Sequence, residues 1–222
     1  MNKAIKNKNL IIKQTENGEQ IRFSEALKAN EEKTIFIFAL ATQNGVDLEI
    51  QLNEPNSKLD VYCLYIVNGK KAPKFKTVVT HKAENCKSNI LYKGVLLSPD
   101  SKAFWDSDVV IEKTARGTDT YEANRNMILS RGARVYSVPN LEILQGDIQG
   151  AGHASAVGRF DEEELFYLMS RGLNEKEAKE LLVDGFSLEI LDHLNDETLK
   201  KEFTAKIREL LKGESLLKKE ML

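Results

Sequence analysis

Few side chains in this sequence can offer nitrogen or sulfur to a soft or borderline metal, or move a proton near neutral pH: His81, His153 and His193, with the thiols of Cys63 and Cys86. An imidazole suits either task. His153 stands in a run of small residues, Gly150 to Ala156, where a second backbone can approach closely. One histidine makes no metal site, so further ligands would have to come from another chain; the alternative is a structural histidine bonded within a turn. His81 lies in VVTHKAENC, five residues before Cys86, a spacing that matches no ligand motif. It reads as structural, and His193 as a surface or packing residue. Cys63 reads as a small core hydrophobe. Cys86 falls in a polar stretch that could be exposed, open to a ligand or sulfur-accepting role. Asp106, Asp108 and Asp119 could serve paired acid/base chemistry by residue type, but no pattern brings them together.

These residues must be positioned by short strands. Thr34–Ala41 is apolar and β-branched, and suits a buried strand. Val46, Leu48, Ile50 and Leu52 alternate with polar residues. Leu59, Val61, Cys63 and Tyr65 do the same, although Leu64 and Ile66 make the second face apolar too. Further strand-like stretches cover 75–79, 90–97, 109–111, 127–129 and 141–144, and turn clusters such as Asn44-Gly45, Asn68-Gly69 and Ser98-Pro99-Asp100 divide them. Phe104 and Trp105 are adjacent in one strand, so one of the two is buried. Strand spacing of roughly 8–12 residues fits a β-sandwich, a barrel or a solenoid. No exact repeat is visible, which favours the first two. Recurrent Asn, Ser and Thr at the turns favour a solenoid, where stacked coils bond in ladders, and Asn124 and Asn126 are expected to satisfy backbone at such a turn. Residues 1–33 are polar and weakly periodic, and Ile21 to Ala29 reads as either a short helix or a strand and turn.

The texture changes at Asp161, a good N-cap followed by Glu162, Glu163 and Glu164, where the helix dipole favours negative charge. Leu165, Phe166, Leu168 and Met169 form an apolar stripe that Gly172 closes. Asn174 caps a second helix, with Ala178, Leu181 and Leu182 facing inward and Gly185 as its end. A short third helix over 187–194 and a fourth after Asp196, carrying Leu199, Phe203, Ile207, Leu210 and Leu211, complete a helical tail. A solenoid must cover its open ends, and such a tail would do so.

Composition excludes several classes. The net charge of −2 argues against a nucleic-acid binder, and the 41% hydrophobic, 30% charged make-up is ordinary for a globular chain. Residues 161–222 carry 10 basic and 16 acidic side chains, against 22 and 18 in residues 1–160. The acidic tail is a solvated helical surface or a docking surface. The run Ile35 to Ala41 is too short to span a bilayer. The start, MNKAIKNKNLIIKQ, has no apolar core of a secretory signal, and two cysteines make no disulfide framework. A reducing, cytoplasmic setting is expected.

Three stretches carry a resemblance: LYKGVLLSPDSKAFWDSDVVI (Leu91–Ile111), TDTYEANRNMILSRGARVYSVPNLEI (Thr118–Ile143) and HASAVGRFDEEELFYLMSRGLNEKEAKELLVDGF (His153–Phe186). From about Val78 to Phe186 the chain resembles the SufB/SufD family, scaffold components of the SUF iron–sulfur cluster assembly system. The resemblance implies a mainly β fold, a right-handed parallel β-helix followed by a small α-helical domain; the strand and cap pattern bounds these at 34–158 and 159–222, with 1–33 as an N-terminal segment. It implies a non-enzymatic subunit that pairs with a SufB-type partner or a second copy. The SufC-type ABC ATPase would dock on the helices, through Phe166, Tyr167, Met169, Arg171, Leu181 and Phe186. In B-type members a cysteine precedes the Pro-x-Leu/Ile-Glu segment; aligned through Pro139 and Glu142, Asn124 holds that place. D-type members carry a histidine before the helical domain, and His153 matches it. The chain is therefore expected to be SufD-like, with a shortened N-terminal region. No cofactor would be held stably by the chain alone; a transient cluster in the complex would engage His153. The competing expectations are a β-helix interaction protein without a metal role and a β-helix carbohydrate-active enzyme.

Overall fold

Twelve strands precede three helices in the computed structural model, which describes residues 2–6, 9–14, 19–159 and 161–213. The strands are β1 (Asn2–Lys6), β2 (Asn9–Gln14), β3 (Ile21–Leu27), β4 (Glu32–Leu40), β5 (Val46–Leu52), β6 (Lys58–Val67), β7 (Lys74–His81), β8 (Lys87–Leu96), β9 (Lys102–Ile111), β10 (Asp119–Ile128), β11 (Arg134–Ile143) and β12 (Gly150–Arg159). The helices are α1 (Glu162–Ser170), α2 (Glu175–Leu191) and α3 (Glu197–Gly213). Alternate strands build two sheets, β1-β2-β4-β6-β8-β10-β12 and β11-β9-β7-β5-β3. Apart from the antiparallel β1–β2 pair, every pairing is parallel. The chain is a parallel β-solenoid, each coil adding one strand to each sheet.

The solenoid begins before the expected Thr34. β2 pairs in parallel with β4, and β3 with β5, Ile21 lying beside Val46 and Leu27 beside Leu52. The β3 segment was ambiguous in sequence because only Ile21 and Leu27 of its residues are fully buried.

One corner of the coil explains the polar turn residues. Asn30, Asn56 and Asn85 adopt φ of 59°, 59° and 57°, and Gly117 follows at 69°. This left-handed conformation is one that asparagine and glycine tolerate better than other residues. Each donates its N–H to the next coil, at Pro55, Glu84, Arg116 and Asp147 respectively, over 2.8–3.1 Å. Asn56 Nδ2 also bonds Asn30 Oδ1 at 3.3 Å. Asn124 and Asn126, in contrast, lie within β10 and point into the coil, where they bond side chains instead of turn backbone.

Both faces of the seven-stranded sheet are dry along β4, β6 and β8. Ile35, Ile37, Val61, Cys63 and Tyr65 point into the coil, while Phe36, Phe38, Tyr62, Leu64 and Ile66 point outward onto the helices. Val183, Ile190, Leu191, Phe203, Ile207 and Leu211 form the covering side. Phe38 stacks on Phe203 with ring centroids 3.6 Å apart, and Tyr62 on His193 at 4.1 Å. The two-sided apolar pattern of β6 therefore reports a covered sheet, whereas β7 and β9 alternate because their outer faces meet solvent. The helical tail lies along the flank of the solenoid and does not close its end.

Asp161 and Asn174 cap α1 and α2, accepting from the backbone N–H of Glu163 and Glu177, and Asn174 completes a capping box. Gly172, at φ 100°, turns the chain between them. α2 runs through Gly185, the expected stop. A mid-helix glycine costs only about 1 kcal/mol, and buried Val183, Ser187, Ile190 and Leu191 on both sides hold the helix to the sheet. Leu181, expected to face inward, is exposed. No helix among the described residues is long and apolar enough to cross a membrane.

Candidate functional site

The interior of the solenoid turns polar toward its last coil. Thr120, Glu122, Asn124 and Asn126 alternate along the inward face of β10, all buried. Asn124 Nδ2 donates to Ser137 Oγ at 2.6 Å, and Asn126 Nδ2 to Asn124 Oδ1 at 3.0 Å. The Tyr65 hydroxyl bonds both Asn124 and Asn126, and burial holds the phenol far above its usual range. Gly94 makes this possible. A Cβ there would lie 2.2 Å from the Tyr65 ring and 2.4 Å from Asn126 Oδ1.

Glu122 is the charge-bearing member of this row, with its side chain only 1% exposed. One carboxylate oxygen accepts from Ser107 Oγ on β9; the other, Oε1, has no hydrogen-bond partner. Desolvation pushes its pKa up to about 7, against the pull of the Ser107 bond. His153 on β12 is paired in register with Glu122. Its Nδ1 lies 4.0 Å from Glu122 Oε1, and its side chain is 47% exposed. β12 and β11 are the last strands of their sheets. Tyr136, Val138, Ile143, Leu144 and Val157 are exposed on or beside these two strands, Tyr136 stacked on Phe104 of β9. The open end thus places an accessible imidazole over a buried carboxylate, beside a strand edge of glycine, alanine and serine that pairs with no further strand among the described residues.

The remaining candidates lie elsewhere. His81 is fully buried, bonded through Nε2 to Ser88 Oγ at 2.9 Å, and desolvation lowers its pKa to about 4. Cys63 is core, and burial pushes its thiol up. Cys86, whose polar stretch left exposure open, is buried against Ser57 Oγ at 3.2 Å, because its turn folds under the asparagine corner. Trp105 is the buried member of its pair with Phe104. Asp108 on β9 accepts from Asn140, and Asp119 belongs to the other sheet and pairs with Lys87, so the three aspartates do not form one site. Among the described residues no three His, Cys, Asp or Glu side chains cluster as a metal site.

On the tail, α1 buries none of its residues. Phe166 is 74% exposed, and Tyr167, Met169 and Leu181 are exposed beside it. The Arg171 guanidinium lies 5.2 Å over the Tyr167 ring. Phe186 is directed to the solenoid instead, under Lys93 Nζ at 3.9 Å. Lys93 is almost fully buried and pairs with Glu189 at 2.6 Å, which Arg125 also meets at 2.9 Å. Burial lowers the Lys93 pKa against the pull of Glu189.

Sequence reasoning did not single out Glu122, Lys93 or Glu189. β10 carries polar residues on both of its faces, so its alternation does not mark Glu122 as inward.

A family model described as "SUF system FeS cluster assembly, SufBD core domain" matches residues 11–186. The chain belongs to the SufBD core family. Within it the chain is SufD-like: it is 32% identical over 163 residues to the iron–sulfur cluster assembly protein SufD of Escherichia coli, covering 73% of this chain and 38% of that protein. It is 44% identical over 155 residues to an iron–sulfur cluster assembly SufBD family protein of Mycobacterium leprae, covering 67% and 40%. A relative of the same description in Mycobacterium tuberculosis is 47% identical over 150 residues, covering 65% and 38%. The chain spans about two fifths of the length of these relatives. The match reaches back to residue 11, in keeping with a SufBD solenoid that includes β2 and β3.

Proposed function

We propose that this SufD-like chain is a non-enzymatic subunit of a cytoplasmic SUF-type iron–sulfur cluster assembly complex. It pairs through the open end of its solenoid with a SufB-type subunit or a second copy, and it carries the SufC-type ATPase on α1 and α2. The observation that carries this reading is the placement of His153. It is an imidazole on the terminal coil, partly exposed, at a strand edge left open among the described residues, whose small side chains admit a second chain. The exposed apolar side chains of the terminal coil support an interface, since such residues cluster in interface cores. The cluster is cargo. Cys63 and Cys86 are buried away from this end, so thiolates would come from the partner and this chain would lend one nitrogen.

The test is co-expression with a SufB-type homologue and the ATPase, then iron and acid-labile sulfide analysis of the purified complex. His153→Ala should lower both contents while the complex stays assembled; equal loading would return the whole site to the partner. For docking, truncating the tail is a poor test, because it would strip the cover from Phe36, Phe38 and Tyr62. Phe166→Ser with Met169→Ser should abolish co-purification of the ATPase at unchanged thermal stability, since neither residue is buried. Full retention of the ATPase would move the docking site elsewhere.

A further inference from the structure

We propose that Glu122 is the positioning residue for His153: Oε1 accepts the Nδ1–H of the ring, fixing the tautomer and leaving Nε2 as the ligating atom at the open end. This rests on the reading of His153 as a ligand given above, and the experiment separates the two.

Three observations meet at this pair. Glu122 Oε1 is buried and without a hydrogen-bond partner, an arrangement that is costly unless something nearby completes it. The facing atom is His153 Nδ1, at 4.0 Å, held there by the in-register pairing of β10 with β12. The other carboxylate oxygen is committed to Ser107, so the carboxylate cannot turn to satisfy itself elsewhere without breaking that bond. To reach hydrogen-bond length the half-exposed imidazole has to approach by about 1 Å. A metal ion held between the two atoms fits less well. With bonds of about 2.0–2.1 Å to each, an ion would stand at a near-linear angle, and no third donor among the described residues completes its shell. A carboxylate behind the ligand histidine is instead the usual means of orienting the ring and raising its basicity. Asn124 and Ser137 cannot take this part, because they bond each other.

The decisive measurement is nitrogen NMR of ¹⁵N-histidine-labelled full chain at pH 8, which reads the His153 tautomer directly. The expected result is the Nδ1–H form, the one free histidine disfavours. Glu122→Gln retains a carbonyl acceptor and should keep that tautomer; Glu122→Met removes the acceptor at similar volume and should revert the ring to Nε2–H. A wild-type ring in the Nε2–H form overturns the proposal without recourse to any variant. In the assembled complex, Glu122→Met should weaken iron(II) binding by about 10-fold or more, with Glu122→Gln nearer the parent. An Nδ1–H ring together with full iron loading in His153→Ala would leave the Glu122–His153 bond standing and refute the ligand reading on which its purpose depends.

Discussion

His81 should make the protein acid-labile in a window that can be calculated. The ring is fully buried, its Nε2 bonded to Ser88 and its Nδ1 without a partner, and burial sets its pKa at about 4 against the ordinary 6.5. Between those values the unfolded chain binds a proton that the native chain refuses, so stability falls as pH falls. The contribution is fully present above pH 6.5 and fully lost below about 4. At about 1.4 kcal/mol per pH unit the whole loss is about 3 kcal/mol, of which about 2.5 kcal/mol has gone by pH 4.5. Carboxylates titrate in the same range, so the wild type alone does not isolate the effect. His81→Leu does, because Leu has similar volume and no proton to bind, and Ser88 keeps its bond to Thr120. Urea unfolding of both proteins at pH 7.5 and 4.5 gives the test. The stability difference, wild type minus variant, should shift by about 2.5 kcal/mol in favour of the variant at the lower pH. A difference constant to within about 0.5 kcal/mol would mean that His81 is protonated or solvated in the native state.

Gly94→Ala should destabilise by about 3 kcal/mol in urea melts, because the new methyl overlaps the Tyr65 ring and Asn126 Oδ1. A neutral result would show that Tyr65 can leave the asparagine pair freely. Glu189→Ala should cost about 2 kcal/mol by leaving Lys93 buried without its counter-charge, and Lys93→Met should restore most of that loss in the double variant. Gly117→Ala should cost about 1 kcal/mol or more, since the left-handed corner and the approach of Asn85 Oδ1 at 2.4 Å both penalise a Cβ; thermal unfolding reads it directly.

The strands were legible because alternation survives in the sheet that faces solvent, and the helix starts because Asp161 and Asn174 cap by local chemistry alone. The repeat was not. Glu32, Lys58, Lys87, Asp119 and Gly150 occupy one step of successive coils, so the period drifts through 26, 29, 32 and 31 residues. What recurs is a conformation, the left-handed corner, which Asn30, Asn56, Asn85 and Gly117 satisfy with two residue types. Gly185 misled because its own preference is weak beside the burial of Val183 and Ile190. At the site, His153 was visible through the small residues around it. Glu122 was not, because its burial depends on which face of β10 turns inward, and a strand of polar residues does not announce that face.

The cover on the seven-stranded sheet comes later in the chain than every strand it protects. Phe36, Phe38, Tyr62 and Leu64 are made long before Val183, Ile190, Phe203 and Ile207 exist to shield them. During synthesis the growing solenoid therefore presents a greasy outer wall, lengthening by one strand per coil, with a free edge at its tip. Such a nascent species is prone to self-association. Yield in cells should depend on how fast the ribosome delivers α1 to α3, and slowing translation between β12 and α3 should send more of the chain into aggregates than slowing it before β4, when no such wall exists.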